Sequence, residues 1–330
     1  MRAIIQTRYG HPHHVLTLTD IPRPAPGPGE ALIRVHASSV NTPDWLTVTG
    51  TPRILRLKSG LRRPTGRIRG TDLAGTVETT GDTTTDLQPG DEVYGSLWTS
   101  ALNSPHGTFA EYTIARTTNL ARKPTGLTHE QAAASVMSGL TALTAMRDTA
   151  HVTTGTRVLI NGASGGVGTF AVQLARHLGA HVTAVCGEHN HDLVTTLGAD
   201  ETIDYTEEDF TTHHARYDVI LDNVLNHPPT RTIRALAPGG ILMPNSIGDT
   251  TKPFAGLPRI ARAQLIRRSR ADIRPVNTVC DRAHLDDLSA LLTSGALTPV
   301  IDTAYPLEQT PAAIAHMLTH RARGNIAITI

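Results

Sequence analysis

The chain has little cysteine: Cys186 and Cys280 are its two thiols among 330 residues. Two cysteines exclude a disulfide framework and a four-cysteine zinc lobe. Aromatic residues make up only 4% of the chain, and no apolar run approaches the length of a membrane-spanning helix. The N-terminus also lacks the apolar core of a signal peptide, so we expect a cytoplasmic protein.

Neither sign of charge is in excess, since 30 basic and 29 acidic residues give a formal net charge of +1. A balanced chain produces no overall field that would attract nucleic acid or anionic lipid. We therefore expect a small-molecule substrate, and neither nucleic acid nor a membrane as a partner. A chain of this length can form two domains, each with its own core.

One segment departs from this balance. The stretch from Leu55 to Arg69 is rich in arginine and also contains Lys58, two glycines and Pro64. This composition predicts a basic loop. The loop is either a solvated surface excursion or a segment that steers an anionic substrate or cofactor.

The most informative motif is a glycine turn at Asn161–Ala171. It follows the apolar run Arg157–Ile160 and opens a helical pattern that ends near Gly179. A strand that turns through glycines into a helix creates an anion site, because backbone N–H groups and the helix N-terminus converge there. Ala163-x-Gly165-x-x-Gly168 matches a dinucleotide fingerprint, whereas Gly162-x-Ser164-x-Gly166 matches the nucleophile elbow of a hydrolase.

The surrounding sequence favours the dinucleotide interpretation of this turn. Residues before about 123 have the short, turn-punctuated apolar runs of a β-rich domain, and strand–helix alternation begins only afterwards. The turn is therefore the first βα turn of a parallel sheet, where dinucleotide phosphates bind. Glu188 follows Gly168 by twenty residues, as a ribose ligand would. A hydrolase with Ser164 as its nucleophile is the weaker alternative.

Further motifs recur along the whole chain in a specific order. They are Ser39–Asp44, Gly70–Gly75, Gly90–Gly95, Gly107–Tyr112, Met137–Leu143, Leu197–Asp200, Ile203–Tyr205 and Ala237–Gly240. With the glycine turn, they resemble the medium-chain dehydrogenase/reductase superfamily in its zinc-free quinone oxidoreductase-like branch. The resemblance implies an α/β protein that combines a Rossmann cofactor domain with a β-rich GroES-like catalytic domain. It implies a GroES-like part at 1–122, a Rossmann domain at 123–270 and a return to the catalytic domain at 271–330.

The resemblance also implies site residues. Asn41 and Thr141 are expected near the nicotinamide as catalytic residues, and Trp45 is expected in the wall of the substrate pocket. Asn41 could instead form a turn before Pro43, Asp44 could cap a helix at Trp45, and Trp45 could be a core aromatic. The expected cofactor-binding residues are Ser164, Gly165, Gly166, Val167, Gly168, Glu188, His189, Tyr205, Asn223, Ile247, Gly248, Gly324 and Asn325.

The N-terminal part of the catalytic domain offers no thiolate zinc ligand, because no cysteine precedes residue 186. Hydride addition to a quinone or an α,β-unsaturated carbonyl suits a site without zinc, since the developing charge spreads over a conjugated system that hydrogen-bond donors can hold. Two alternatives stay open beside the hydrolase: a carbonyl or alcohol dehydrogenase on the same scaffold, and a dinucleotide-binding protein without turnover. The resemblance favours a homodimer, because dimers are common in this family.

The sequence gives conflicting indications about the choice between NADPH and NADH. Family habit favours NADPH, but Gly187–Asn190 lacks the Ser/Thr and Lys/Arg that clasp a 2′-phosphate in such relatives. Glu188 would hydrogen-bond a ribose hydroxyl and repel a phosphate, while His189 and Asn190 could still contact one. We expect NADPH, with NADH as the alternative that these residues favour.

Overall fold

The computed structural model describes residues 1–81, 86–98, 106–248, 258 and 271–330. The chain forms two compact units. Unit 1 comprises Met1–Leu140, Cys280–Gly295 and Pro299–Ile330, and unit 2 comprises Thr141–Val279 and Ala296–Thr298. The sequence predicted divisions after 122 and after 270, and the second of these lies outside the described residues. The boundary between the units follows Leu140, later than the predicted 122, because most of the first long helix packs within unit 1.

In chain order, the strands are β1 (Arg2–Gln6), β2 (Leu16–Asp20), β3 (Glu30–Val40), β4 (Asp72–Thr80), β5 (Glu92–Ser96), β6 (Tyr112–Arg116), β7 (Leu120–Arg122), β8 (Arg157–Asn161), β9 (His181–Cys186), β10 (Glu201–Asp204), β11 (Tyr217–Asp222), β12 (Leu236–Pro244), β13 (Asp272–Ile273), β14 (Ile301–Pro306) and β15 (Asn325–Thr329). The helices are α1 (Pro12–Val15), α2 (Thr42–Thr49), α3 (Arg56–Ser59), α4 (His129–Leu143), α5 (Gly166–His177), α6 (His191–Thr196), α7 (Pro229–Thr232), α8 (Arg282–Thr293) and α9 (Thr310–Met317).

Unit 1 is built around a mostly antiparallel sheet of order β14-β15-β3-β4-β5-β7, in which β6 also pairs with β3. Strand β3 is central because it pairs with β4, β6 and β15. Its inward residues join a core that includes Ile33, Leu73 and Val93. The C-terminal strand β15 completes this sheet, so both ends of the chain fold into one unit.

Unit 2 contains a fully parallel sheet of order β10-β9-β8-β11-β12-β13. Counted from β8 as the first strand, this order is 3-2-1-4-5-6, that of the dinucleotide-binding Rossmann fold. The apolar runs predicted as strands pack here with both faces covered, as parallel sheets require. The α/β fold expected from the sequence is thus confirmed.

The first long helix differs from its prediction. The sequence predicts helix from Thr128 to Ala150, broken or kinked at Gly139. The structure keeps Gly139 inside α4, and the change to π-helix occurs at Thr144–Thr149. A Cβ on Gly139 would lie 2.8 Å from Leu288 Cδ1, so the glycine permits close packing of α4 on α8. Within the described residues, no helix is long and apolar enough to cross a membrane.

Removing the Tyr94 hydroxyl should destabilise unit 1. Tyr94 is fully buried on β5, and its hydroxyl donates to Leu285 O at 2.6 Å, which ties the returning α8 to the sheet. We expect Tyr94→Phe to lower the free energy of unfolding by about 1–2 kcal/mol, because the buried hydrogen bonds of the hydroxyl to Leu285 O and Ser289 Oγ are lost. Chemical denaturation measures this. Tyr112→Phe is the matched control, since the Tyr112 hydroxyl has no hydrogen bond within the described residues; an equal loss in both variants would contradict the assignment.

Candidate cofactor and substrate site

The strand order of unit 2 reverses between β8 and β11, where a ligand crevice is expected at the carboxyl ends of the strands. Polar side chains end both strands there. Asn161 Nδ2 donates to Asp222 Oδ1 at 2.8 Å, and Asp222 Oδ1 also accepts from Leu225 N at 2.8 Å. The glycine turn leaves β8 at this edge.

The glycines of the turn have different reasons to be glycine. Gly162 has φ +76°, which side chains rarely adopt, and a Cβ on Gly168 would lie 2.2 Å from Gly162 O. Gly165 has an extended backbone with φ −81°, and a Cβ there would be in ordinary contact, 3.6 Å from Gly162 O. The fold thus requires Gly162 and Gly168, whereas Gly165 leaves open space next to the helix N-terminus.

The amides that follow this open space can bind an anion. Gly166, Val167 and Gly168 form the first turn of α5, and the first intrahelical donor after them is Thr169 N, which bonds Gly165 O at 2.9 Å. The three preceding N–H groups have no acceptor within the helix and lie at its positive end. This is the geometry of a pyrophosphate site.

Ser164 does not resemble a nucleophile. Its Oγ accepts a hydrogen bond from Asn190 Nδ2 at 3.1 Å, which joins the glycine turn to the residues after β9. A nucleophile elbow holds its serine on a strained turn, but Ser164 is not one of the described residues with positive φ. The structure therefore favours a phosphate-loop role for Ser164 over the hydrolase interpretation.

The other side of the turn is bordered by the segment after β9. Glu188 and His189 are exposed, in a single 3₁₀ turn, and the backbone of Glu188 bonds the Asp204 carboxylate. The Tyr205 ring is 59% exposed and lies beside Gly187. An exposed ring at the end of β10 offers a flat apolar surface of the kind that an adenine contacts.

Several buried polar atoms at this edge lack partners within the part of the chain that the structure describes. They are Asn190 Oδ1, Asp222 Oδ2 and Asn223 Nδ2. Asn223 Oδ1 accepts from Asn245 Nδ2 at 2.8 Å, so the free NH₂ group keeps a defined position. Buried polar groups are normally hydrogen-bonded, and a polar ligand would supply the missing partners.

Ile247 and Gly248 lie after β12, at the carboxyl edge of the same sheet. Gly248 adopts φ +65° and its N–H bonds Ser246 Oγ at 3.1 Å. Both residues are partly exposed. Their expected contact with nicotinamide stays a prediction, but the turn places their backbone at the edge where the other cofactor residues lie.

In unit 1, a buried carboxylate positions Asn41. Asp72 is fully buried, and its Oδ2 accepts from Asn41 Nδ2 at 2.8 Å and from Met137 N at 2.9 Å. Ser39 and Ser96 add two further donors. Burial raises the pKa of Asp72 to about 6, and the hydrogen bonds oppose that rise. The Asn41 NH₂ group is therefore directed to Asp72, which fixes the orientation of the Asn41 side chain.

Helix α2 begins at Thr42 rather than at Trp45, so Asp44 does not cap the helix where the sequence suggested. Asn41 is the N-cap, and Asp44, three residues later, accepts from Asn41 N at 2.7 Å. Burial raises the pKa of Asp44 to about 8, opposed by backbone hydrogen bonds from Asn41 and Gly70. Asn41 is thus more than a turn former, since its backbone and side chain are both held.

The surroundings of Trp45 favour the alternative of a core aromatic. Its side chain is 5% exposed and packs edge-on against His320, with ring centroids 6.2 Å apart. Its place in the wall of the substrate pocket stays a prediction. A small pocket of about 30 Å³ next to Asp44 is also bounded by Thr71 and Trp98.

Three remaining predicted residues are engaged in structural contacts. Thr141 Oγ1 lies 2.9 Å from Thr278 Oγ1. Gly324 has φ +88°, and a Cβ there would lie 2.4 Å from Val300 O. Asn325 is buried, with its Oδ1 accepting from Ser138 Oγ at 2.6 Å. These contacts account for Gly324 and Asn325 within unit 1, and a role of the three residues toward a cofactor stays a prediction.

Two polar side chains of unit 1, His36 and Asp72, have protein partners. His36 Nε2 is 2.9 Å from Thr76 Oγ1, and both oxygens of Asp72 accept hydrogen bonds. Across the described ranges, no three His, Cys, Asp or Glu side chains converge as a metal requires. Independence from zinc stays a prediction.

Sequence reasoning did not find the role of Asp72 as the partner of Asn41. It noted the residue only within the Gly70–Gly75 motif and as a conceivable metal ligand. A carboxylate inside an otherwise apolar strand was a usable signal, because such a group is almost never buried without partners. The identity of those partners required the fold.

A Rossmann sheet with an anion-binding glycine turn defines a dinucleotide-binding protein. Comparison with known proteins agrees. Residues 27–125 match the family model described as alcohol dehydrogenase GroES-like domain, and residues 197–328 match the model described as zinc-binding dehydrogenase.

Individual relatives cover nearly the whole chain. The mitochondrial NAD(P)H oxidoreductase RTN4IP1 of Mus musculus is 31% identical over 92% of this chain and 82% of its own. The chloroplastic quinone-oxidoreductase QR1 of Triphysaria versicolor is 31% identical over 99% and 98%. The structure of the quinone oxidoreductase from Coxiella burnetii superposes with a TM-score of 0.86, 27% identity and coverage of 100% and 99%. The chain belongs to the medium-chain dehydrogenase/reductase superfamily, in its quinone oxidoreductase-like branch, and is an NAD(P)H-dependent oxidoreductase.

The different roles of the glycines can be separated by substitution. We expect Gly165→Asp to weaken NADPH binding on the order of a hundredfold, because a carboxylate would face the pyrophosphate in a partly desolvated site. Fluorescence titration measures the dissociation constant, and circular dichroism should show an unchanged fold. Gly168→Ala is the contrasting variant, expected to destabilise unit 2 by about 1–3 kcal/mol through overpacking. Unchanged affinity in a folded Gly165→Asp variant would remove this turn from the cofactor site.

The raised pKa of Asp44 predicts a pH dependence of stability. In the unfolded chain the carboxyl titrates near its ordinary value, whereas in the folded protein it titrates near pH 8. Between about pH 4 and pH 8 the folded state binds more protons, so the free energy of unfolding should fall as pH rises. In Asp44→Asn, which keeps an acceptor for Asn41 N, this fall should be smaller. Urea denaturation across the range measures both slopes, and parallel slopes would refute the assignment.

Proposed function

We propose that this protein transfers hydride from NADPH to a quinone or an α,β-unsaturated carbonyl, without a metal ion. The observation that carries the proposal is the glycine turn, where the first amides of α5 have no acceptor within the helix and a side chain at Gly165 would meet only Gly162 O. Asn190 and Asn223, after the neighbouring strands β9 and β11, have buried atoms without partners among the described residues. A dinucleotide bound at this turn would satisfy these atoms. When bound, the reduced nicotinamide supplies the hydride.

In this mechanism the described residues bind and orient the cofactor and the substrate, and they do not themselves react. The amides of Gly166, Val167 and Gly168 would neutralise the pyrophosphate, and Tyr205 would cover the adenosine. Asn41, held by Asp72, would present its carbonyl oxygen to a hydroxyl or amide donor. Hydride transfer between carbons depends mainly on such positioning. Protonation of the product can come from water.

Independence from zinc is supported by the contacts within unit 1. A carbonyl substrate without conjugation needs a Lewis acid or a proton donor to hold its developing charge, and His36 and Asp72 are hydrogen-bonded to protein partners. A quinone or enone spreads that charge over a conjugated system, so hydrogen-bond donors are sufficient. The substrate class is therefore the one that a metal-free site can serve.

We propose NADPH as the preferred cofactor on the habit of the family; the name of the relative RTN4IP1 includes both nucleotides and does not decide between them. His189 and Asn190 are the groups of this chain that could contact a 2′-phosphate. Glu188 is exposed in the same turn and favours NADH. The preference between the two nucleotides therefore depends on the residues of this turn. The cytoplasmic location and the homodimer stay predictions; the two relatives are named as organellar.

A cofactor and substrate panel tests the proposal. NADPH and NADH are titrated by fluorescence, and their oxidation is then followed with quinones, enones and simple ketones, each before and after treatment with a chelator. We expect binding of NADPH, oxidation with quinones or enones, and no effect of the chelator. Turnover restricted to ketones or lost on chelation would favour an alcohol dehydrogenase. Binding without turnover, or labelling of Ser164 by an active-serine probe, would overturn the oxidoreductase mechanism.

A further inference from the structure

The basic loop differs from the rest of the chain in its charge. From Trp45 to Thr71 there is no acidic residue, while this stretch contains six arginines and Lys58. The whole chain has a formal net charge of +1, so the other residues, with 23 basic and 29 acidic side chains, have a net charge of −6. Arg62, Arg63 and Arg67 are exposed and form no ion pair within the described residues.

The same segment exposes leucine. Leu57 is 70% exposed and Leu61 is 67% exposed, more than any other large hydrophobic residue that the structure describes. Single exposed leucines are common, but two within five residues, bordered by arginines, form a combined apolar and cationic surface. We call the exposed side chains of Arg53, Leu57, Leu61, Arg62, Arg63 and Arg67 the basic-apolar patch.

The backbone below the patch is held by unit 1. The Tyr9 hydroxyl donates to Gly60 O at 2.7 Å, and Gln6 N donates to Arg67 O at 2.7 Å. Arg69 is buried and donates to Gln6 Oε1 at 2.5 Å, so it belongs to the anchor and not to the surface. The backbone of the segment is thus held by unit 1 at Gly60 and at Arg67, and its exposed side chains form the patch.

We propose that the basic-apolar patch docks this protein on the surface of an anionic lipid bilayer. Arginines attract acidic headgroups, and leucines between them enter the boundary between headgroups and acyl chains. Nucleic acid fits less well, because the stretch after Trp45 contains no aromatic side chain to stack on bases until Thr71. Docking by this surface requires no membrane-spanning helix. The proposal departs from the expectation, drawn from the net charge, that no membrane is a partner.

The position of the patch suggests a purpose, which rests on the proposed function. Ile68 to Thr71, at the end of the segment, line the small pocket of about 30 Å³ beside Asp44. Lipophilic quinones and enones dissolve in bilayers. A docked protein would place this part of unit 1 near such a substrate.

Vesicle co-sedimentation tests the docking. We expect the wild-type protein to sediment with vesicles of phosphatidylcholine and phosphatidylglycerol, not with phosphatidylcholine alone, and to be released by salt. Arg62→Gln/Arg63→Gln and Leu57→Ser/Leu61→Ser should each weaken binding on the order of tenfold. Two control variants change exposed residues elsewhere: Arg116→Gln/Arg321→Gln removes two charges, and Leu18→Ser removes a leucine. We expect both controls to bind vesicles as the wild type does.

Other outcomes would overturn the proposal. The proposal is wrong if the wild-type protein does not bind the anionic vesicles or binds neutral vesicles equally well. It is also wrong if both patch variants bind as strongly as the wild type. Binding of a single-stranded RNA in place of vesicles would assign the patch to nucleic acid, and a change in sedimentation coefficient in place of vesicle binding would assign it to a second copy. NADPH oxidation with a water-soluble quinone should be equal in all variants, so failure of docking and failure of the proposed function are separable.

Discussion

The buried carboxylate of Asp72 is the interaction on which the arrangement of unit 1 depends. It receives hydrogen bonds from the end of β3, from β5 and from α4, three elements that are distant in sequence. A buried charge without these donors would be strongly destabilising, so the elements are constrained to meet there. The same carboxylate orients Asn41. One group therefore stabilises the fold and prepares the site.

The Rossmann unit was predictable because its rules are local. The turn at Gly162–Gly168 carries its glycines where backbone conformation and close packing require them, and the strand at His181–Cys186 was predicted to the residue. Parallel strands separated by helices leave little choice of topology. The medium-chain family, the fold class and the oxidoreductase activity followed from such motifs, and they are confirmed. The individual site residues stay predictions.

What the sequence could not reveal depends on contacts between distant residues. The partner of Asn41 is thirty-one positions away, and the core position of Trp45 depends on His320. The π-helical turn at Thr144–Thr149 and the packing of Gly139 on Leu288 are likewise set by neighbours from other elements. A local pattern states what a residue can do, whereas its neighbours decide which of these roles it takes.

Net charge illustrates the same limit on a larger scale. A charge of +1 averages over a molecule whose exposed ions interact only within about 10 Å at moderate ionic strength. A partner at the surface between Arg53 and Arg67 meets that local set of charges and not the average. Since Leu57 and Leu61 are exposed among those arginines, the chemistry of this face differs from that of the whole protein. Predictions about partners therefore need the distribution of charge and apolar surface on the fold.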